Sequence, residues 1–176
     1  MKLNSRRLLK KYPWLVLPVF ALILLGQWKQ PVQSSHASAD FQNCQVNSVY
    51  DGDTMRVTCD TEKHKVRLYC IDTPEMQQKP WGLESRDALR AITPKRVNLL
   101  KHDKDRYGRI VAEVFAGDMN LNLQMVKQGQ AAVYARYCKD DVYFEAEKLA
   151  RQQALGIWSR EGLQQTPWQW RKQKKQ

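Results

Sequence analysis

Apolar and polar positions alternate in three short stretches beginning at residue 45. Val46 and Val49 mark the first, within residues 45–50; residues 54–59 alternate again; Val66, Leu68 and Cys70 mark the third, within 65–71. A period of two is that of a strand with one buried face. Asp51-Gly52-Asp53 separates the first two stretches and predicts a hairpin with a D-G turn. Asp72-Thr73-Pro74 ends the third, and Pro74 keeps Thr73 out of the helical region, so the strand end is rigidly turned. The period then changes. Leu83, Ala88, Leu89 and Ile92 share roughly one face of a helix over residues 81–92. Strands are predicted at 96–101 and 109–115, a short helix at 121–128 before Gly129, and a longer helix at 142–154 closed by Gly156. Glu145 and Glu147 early in that helix and Arg151 late follow the order its dipole favours. Five short strands broken by one helix and followed by two more predict an α+β fold, a five-stranded OB-type β-barrel with three flanking helices. Irregular strand spacing argues against a sandwich, and no repeat is visible.

The first forty residues have another character. Lys2, Arg6, Arg7, Lys10 and Lys11 precede an uncharged run, WLVLPVFALILL, at residues 14–25. As a helix, residues 12–28 would span about 25 Å, marginal for a hydrocarbon core of about 30 Å. Two readings stay open: a secretory signal core cleaved near Ala37-Ser38-Ala39, or an uncleaved transmembrane anchor with Tyr12, Trp14 and Trp28 at the interfaces. Both place the body outside the cytoplasm, as a secreted, periplasmic or membrane-anchored domain. The expected organisation is a basic segment 1–11, the signal core or anchor 12–28, a linker 29–42, the barrel domain 43–160 and a basic flexible tail 161–176.

A chain of 176 residues with 43% apolar side chains can fill one core, which excludes wholesale disorder and a many-pass membrane protein. The formal charge of +11 misleads, because ten of the 29 basic residues lie at the two ends. Residues 30–170 carry 19 basic against 18 acidic groups, so a polyanion site in the body must be a local cluster. Cys44, Cys59, Cys70 and Cys138 all follow the apolar run, and an even count in an exported domain reads as two disulfides with three connectivities. The hairpin between Cys44 and Cys59 favours pairing these two, and Cys70 with Cys138.

Candidate chemistry sits at the strand ends. Pairing of the second and third strands could bring Asp53 beside Asp72, giving hard oxygens of the kind Ca2+ accepts. Arg67 and Arg109 offer planar forks suited to phosphate oxygens. The scattered histidines give no support to a zinc site or a histidine-based hydrolase.

Four ordered pieces carry a family resemblance: Val49-Tyr50-Asp51-Gly52-Asp53-Thr54, Val66-Arg67-Leu68-Tyr69-Cys70-Ile71-Asp72-Thr73-Pro74-Glu75, Asp105-Arg106-Tyr107-Gly108-Arg109, and Gly156-Ile157-Trp158-Ser159. Over about residues 43–160 the chain resembles the staphylococcal (micrococcal) nuclease-like family of thermonucleases. The resemblance implies Ca2+-dependent endonucleolytic hydrolysis of DNA and RNA, leaving 3′-phosphates, with single strands preferred and a monomer expected. It implies that Asp53, Asp72 and the Thr73 carbonyl hold the ion, with Asp51 one water removed. Glu75 would activate or orient the attacking water, and Arg67 and Arg109 would grip the phosphate. Tyr137 matches a tyrosine of the nucleotide pocket; a second, expected two residues earlier, is Ala135 here, with Tyr134 adjacent. Asn122 and Gly129 match structural positions. The alternative function is a non-catalytic nucleic-acid-binding barrel.

Overall fold

The structure, a computed structural model, describes residues 39–175. Strands β1 (Phe41–Val49), β2 (Thr54–Cys59) and β3 (Glu62–Leu68) form an antiparallel meander. After the two-residue strand β4 (Ile71–Asp72) and helix α1 (Trp81–Ile92), β5 (Arg96–Lys104) pairs with β1, and β6 (Ile110–Ala116) pairs with β5. Closure comes from a parallel pairing of β3 with β6, Val66 opposite Ile110 and Leu68 opposite Ala112. The five long strands thus make a closed mixed barrel with no free edge among them. Val57, Val66, Leu68, Leu99, Ala112 and Val114 point into its core.

Around the barrel follow β7 (Met119–Asn120), α2 (Leu121–Lys127), β8 (Ala132–Val133), α3 (Asp141–Gln152) and α4 (Pro167–Gln173), with single 3-10 turns at Gly156–Trp158 and Leu163–Gln165. Asn120 caps α2 by accepting from the Leu123 amide at 3.0 Å. Buried Asn122 ties α2 to the barrel: its amide donates to the Tyr69 and Ala112 carbonyls, and its oxygen accepts from the Val114 amide. β4 pairs with β8, Asp72 opposite Ala132, so the chain leaving β3 meets the segment that carries Tyr134 and Tyr137.

Disulfides join Cys44 to Cys59 and Cys70 to Cys138, the pairing that the first hairpin favours. Two expectations need correction. Residues 161–175 are not a loose tail in this structure. Pro167 begins a helix at its N1 position, where a missing amide costs nothing, and Trp168 packs beside Ile157 and Trp158. The transmembrane expectation is withdrawn: among the described residues no helix is long and apolar enough to cross a membrane. Segment 12–28 itself, with the rest of residues 1–38, lies outside the described residues.

Candidate active site

The β1–β2 turn, the end of β3 and β4 converge at one rim of the barrel. Thr54 lies opposite Arg67 in the β2–β3 register, and the Leu68 amide donates to the Asp53 carbonyl at 2.8 Å. That register sets the Asp53 carboxylate beside the Arg67 guanidinium. Arg67 Nη2 stands 3.1 Å from Asp53 Oδ2 and 2.9 Å from Asp72 Oδ1, so two carboxylates from different turns share one cationic nitrogen. Both acids are buried. Pairing is what makes two such charges tolerable away from water.

The turn geometry is set by hydrogen bonds and by the want of a side chain at two glycines. Thr73 donates to Asp53 Oδ2 through both its amide and its hydroxyl at 3.0 Å, and Thr54 Oγ1 donates to Asp53 Oδ1 at 3.1 Å. The Asp53 amide donates to Asp51 Oδ1 at 3.0 Å, closing the D-G-D turn. A Cβ on Gly52 would collide with the side chains of Ser85 and Thr73, so glycine lets this turn press against α1. A Cβ on Gly82 would strike the Glu75 carbonyl; its absence lets α1 lie directly on the Glu75 backbone. Gln78 completes that loop, its amide donating to the Glu75 carbonyl and its side-chain oxygen accepting from the Glu75 amide.

Burial pushes the Asp72 carboxyl upward, the more so with Asp53 beside it, while Arg67 and Arg171 oppose the rise. Asp51 is pushed up to about 7, first by burial and then by the neighbouring Asp53 charge.

The structure brings Arg67, Asp53, Asp72 and Thr73 together, with Asp51 behind them and Glu75 at the margin. Arg109 is arranged differently. Its guanidinium donates to Asp105 Oδ2 at 2.7 Å and its amide to Asp105 Oδ1 at 2.9 Å. The i,i+4 loop from Asp105 captures this arginine locally. Arg109 immediately precedes β6, whose first residue, Ile110, pairs with Val66 of β3. Tyr137 is exposed and meets Tyr134 edge-on at 5.0 Å.

Sequence reasoning misses two residues of this rim. Arg171 of α4 donates through Nη1 to Asp72 Oδ1 at 3.1 Å and Glu75 Oε1 at 2.9 Å, and through Nη2 to Asp72 Oδ2 at 2.8 Å. Burial works against its charge, but hydrogen bonds and attraction from Asp72, then Glu75, overcome that and raise its pKa. Trp168, one turn earlier, stacks on Tyr134 with ring centroids 5.3 Å apart and planes 9° from parallel. The available signal is Pro167 as a helix start with Trp168 and Arg171 three apart on one face.

Among the described residues no group of three or more His, Cys, Asp and Glu side chains is set to hold a metal ion. The donor chemistry nevertheless suits a hard cation. Asp53 and Asp72 bring carboxylate oxygens to one point, and Arg67 and Arg171 supply the positive charge there.

The fold defines a class, a closed OB-type barrel with flanking helices, here with acids and arginines gathered at one rim. Comparison with known proteins narrows it. Residues 65–160 match the family described as "Staphylococcal nuclease homologue", and the chain belongs to that family. It is similar to an "Uncharacterized endonuclease" of Haemophilus influenzae, 39% identical over 145 residues, covering 80% of this chain and 79% of the relative. An "Uncharacterized endonuclease" of Escherichia coli is 40% identical over 131 residues, 73% of this chain and 84% of the relative. A "Micrococcal nuclease" of Shigella flexneri is 37% identical over 156 residues, 82% of this chain and 88% of the relative. Family membership supports nuclease activity, hence phosphodiester hydrolysis and nucleic-acid binding.

Proposed function

We propose that the protein is an exported, Ca2+-dependent endonuclease that hydrolyses DNA and RNA and leaves 3′-phosphate ends. The observation that carries this reading is the convergence of Asp53 Oδ2 and Asp72 Oδ1 on Arg67 Nη2. Simple binding of a polyanion needs no buried acids at the contact, because acids repel phosphate. Acids beside arginines fit a site that holds a cation and a phosphate together. Asp53, Asp72 and the Thr73 carbonyl would hold Ca2+, which when bound would oppose charge building on the phosphate oxygens.

The chain's own groups do the rest. Arg67 donates to a non-bridging phosphate oxygen, and its contacts with both acids fix its angle before substrate arrives. Arg109 swings from Asp105 to a second oxygen. Glu75 accepts a proton from the water that attacks phosphorus, and the bond to the 5′ oxygen breaks with that oxygen taking up a proton. Asp51 holds the D-G-D turn in place. Tyr137, exposed near this rim, offers a face to an unstacked base, which favours single strands over stacked duplex. Phosphate contacts carry no base code, so weak sequence preference is expected. The two disulfides support export.

The test is digestion of single-stranded DNA, duplex DNA and RNA with added Ca2+ and then with excess chelator, with end-group analysis of the products. Cleavage that requires Ca2+ and leaves 3′-phosphates is expected. Chelator-resistant cleavage would overturn the metal assignment, and binding without cleavage would favour a non-catalytic barrel.

A further inference from the structure

The candidate site is already filled by part of its own chain. Asp72 and Glu75 are bridged by the Arg171 guanidinium, and Tyr134 is covered by the Trp168 indole. A guanidinium between two carboxylates supplies what a divalent cation would supply there, and an aromatic plane on a tyrosine supplies what a nucleobase would. We infer that α4 is an autoinhibitory strap, with Arg171 as the resident cation of the acid pocket, displaced by a divalent ion and drawn further off by a nucleic-acid strand. The inference rests on the nuclease reading for the identity of what displaces it.

The strap is built to leave. A helix of seven residues is too short to persist on its own in water, so its position depends on its anchors. Only Pro167 in it is buried, and the Arg171 side chain remains 35% exposed. Asp72 keeps a second partner in Arg67, so losing Arg171 does not strand a buried charge. Asp72 Oδ2, by contrast, cannot accept from Arg171 at 2.8 Å and coordinate a hard cation from the same direction. Occupancy is therefore exclusive on that oxygen. The strap also carries its own attraction to the incoming strand. Arg171, Lys172, Lys174 and Lys175 follow Trp170 with no acid among them, and once free they would bind phosphates. Substrate thus opposes the latch twice, by taking the carboxylates' counter-charge and by offering the basic segment an alternative partner.

The experiment compares the full chain with Arg171→Ala and Arg171→Lys. Ca2+ binding is measured by calorimetry without nucleic acid, and hydrogen exchange is followed over residues 163–175. Arg171→Ala is expected to bind Ca2+ at least tenfold more tightly and to lose protection over that segment before any ion is added. Arg171→Lys keeps the charge without the fork and should fall between. In the unaltered chain, saturating Ca2+ should lower protection of the same segment. Equal Ca2+ affinity in all three proteins, no Ca2+ binding by any, or unchanged protection at saturation would overturn the strap. Should Arg171→Ala lose its fold, Arg171→Lys carries the same comparison. Cleavage of single-stranded DNA, assayed in parallel, separates the two readings. Cleavage with equal affinities removes the strap and leaves the nuclease; tighter binding without cleavage leaves the strap and removes the nuclease.

Discussion

Asp51 carries a penalty that the turn imposes. Its carboxyl titrates near 7 because burial and the Asp53 charge disfavour ionisation, against hydrogen bonding from the Asp53 amide and attraction to Arg67. An unfolded aspartate loses its proton near 4. Between those values the native state holds a proton the unfolded chain has released, so stability is highest below about pH 4 for this group and falls as pH rises toward 7. Asp51→Asn keeps the oxygen that accepts from the Asp53 amide and removes the charge. In chelator, urea unfolding should show this variant more stable than the parent at pH 8 by at least about 1.4 kcal/mol, the equivalent of a tenfold change in proton affinity. The two should nearly coincide at pH 4. A variant less stable at pH 8 would mean that Asp51 is stabilised as an anion. At this scale the approach of Asp53 to Asp72 is legible from the pairing of β2 with β3, and Arg67 from the family resemblance. Arg171 is not. It lies 99 residues from Asp72, and nothing local in the sequence announces so distant an ion pair.

Elements carried by a period of two or 3.6 are legible in kind and place, the helices nearly to their ends, although β3 runs over Glu62–Leu68 rather than 65–71 and β5 continues to Lys104. The two-residue strands β4, β7 and β8 are not, for two residues have no period. The first strand begins at Phe41 rather than 45, because pairing with β5 orders residues that show no alternation. Helix α4 is hidden because seven residues leading into a basic stretch show no full period, although Pro167 and Trp168 anchor it. The contact of α1 with the Glu75 loop yields a sharper expectation. At Gly82 there is no room for a methyl group against the Glu75 carbonyl, and both partners are backbone that cannot rotate away. Gly82→Ala gains helix propensity of about 1 kcal/mol yet should still lower stability, since overpacking typically costs about 1–3 kcal/mol. Urea denaturation measures the balance; a variant of unchanged or higher stability would show that the loop yields freely.

At the scale of the molecule, the barrel closes through β3 and β6, and the site lies where the chain leaves that seam. The closed barrel is legible as a strand count. Its parallel closure is not, because a non-local pairing of Val66 with Ile110 leaves no mark on either strand alone. The disulfides act on different parts of this plan. Cys44–Cys59 staples the first hairpin, while Cys70–Cys138 spans 68 residues and fixes the loop bearing Tyr134 and Tyr137 next to β4. In the chain-entropy view, cross-links of these two lengths stabilise by about 3 and 4 kcal/mol respectively. Excess dithiothreitol should therefore lower the unfolding midpoint steeply, and Cys70→Ser with Cys138→Ser should lower it more than Cys44→Ser with Cys59→Ser. The reverse order would place the weak point in the hairpin.

Cys70 sits two residues before Asp72, so this bridge also decides when the acid pocket becomes taut. A newly made chain bathed in glutathione would lack that tether, and its rim would stay slack. On the proposed nuclease reading, cleavage by the reduced chain is then expected to be weaker than by the oxidised one, and equal rates would show that the pocket holds its shape without the tether.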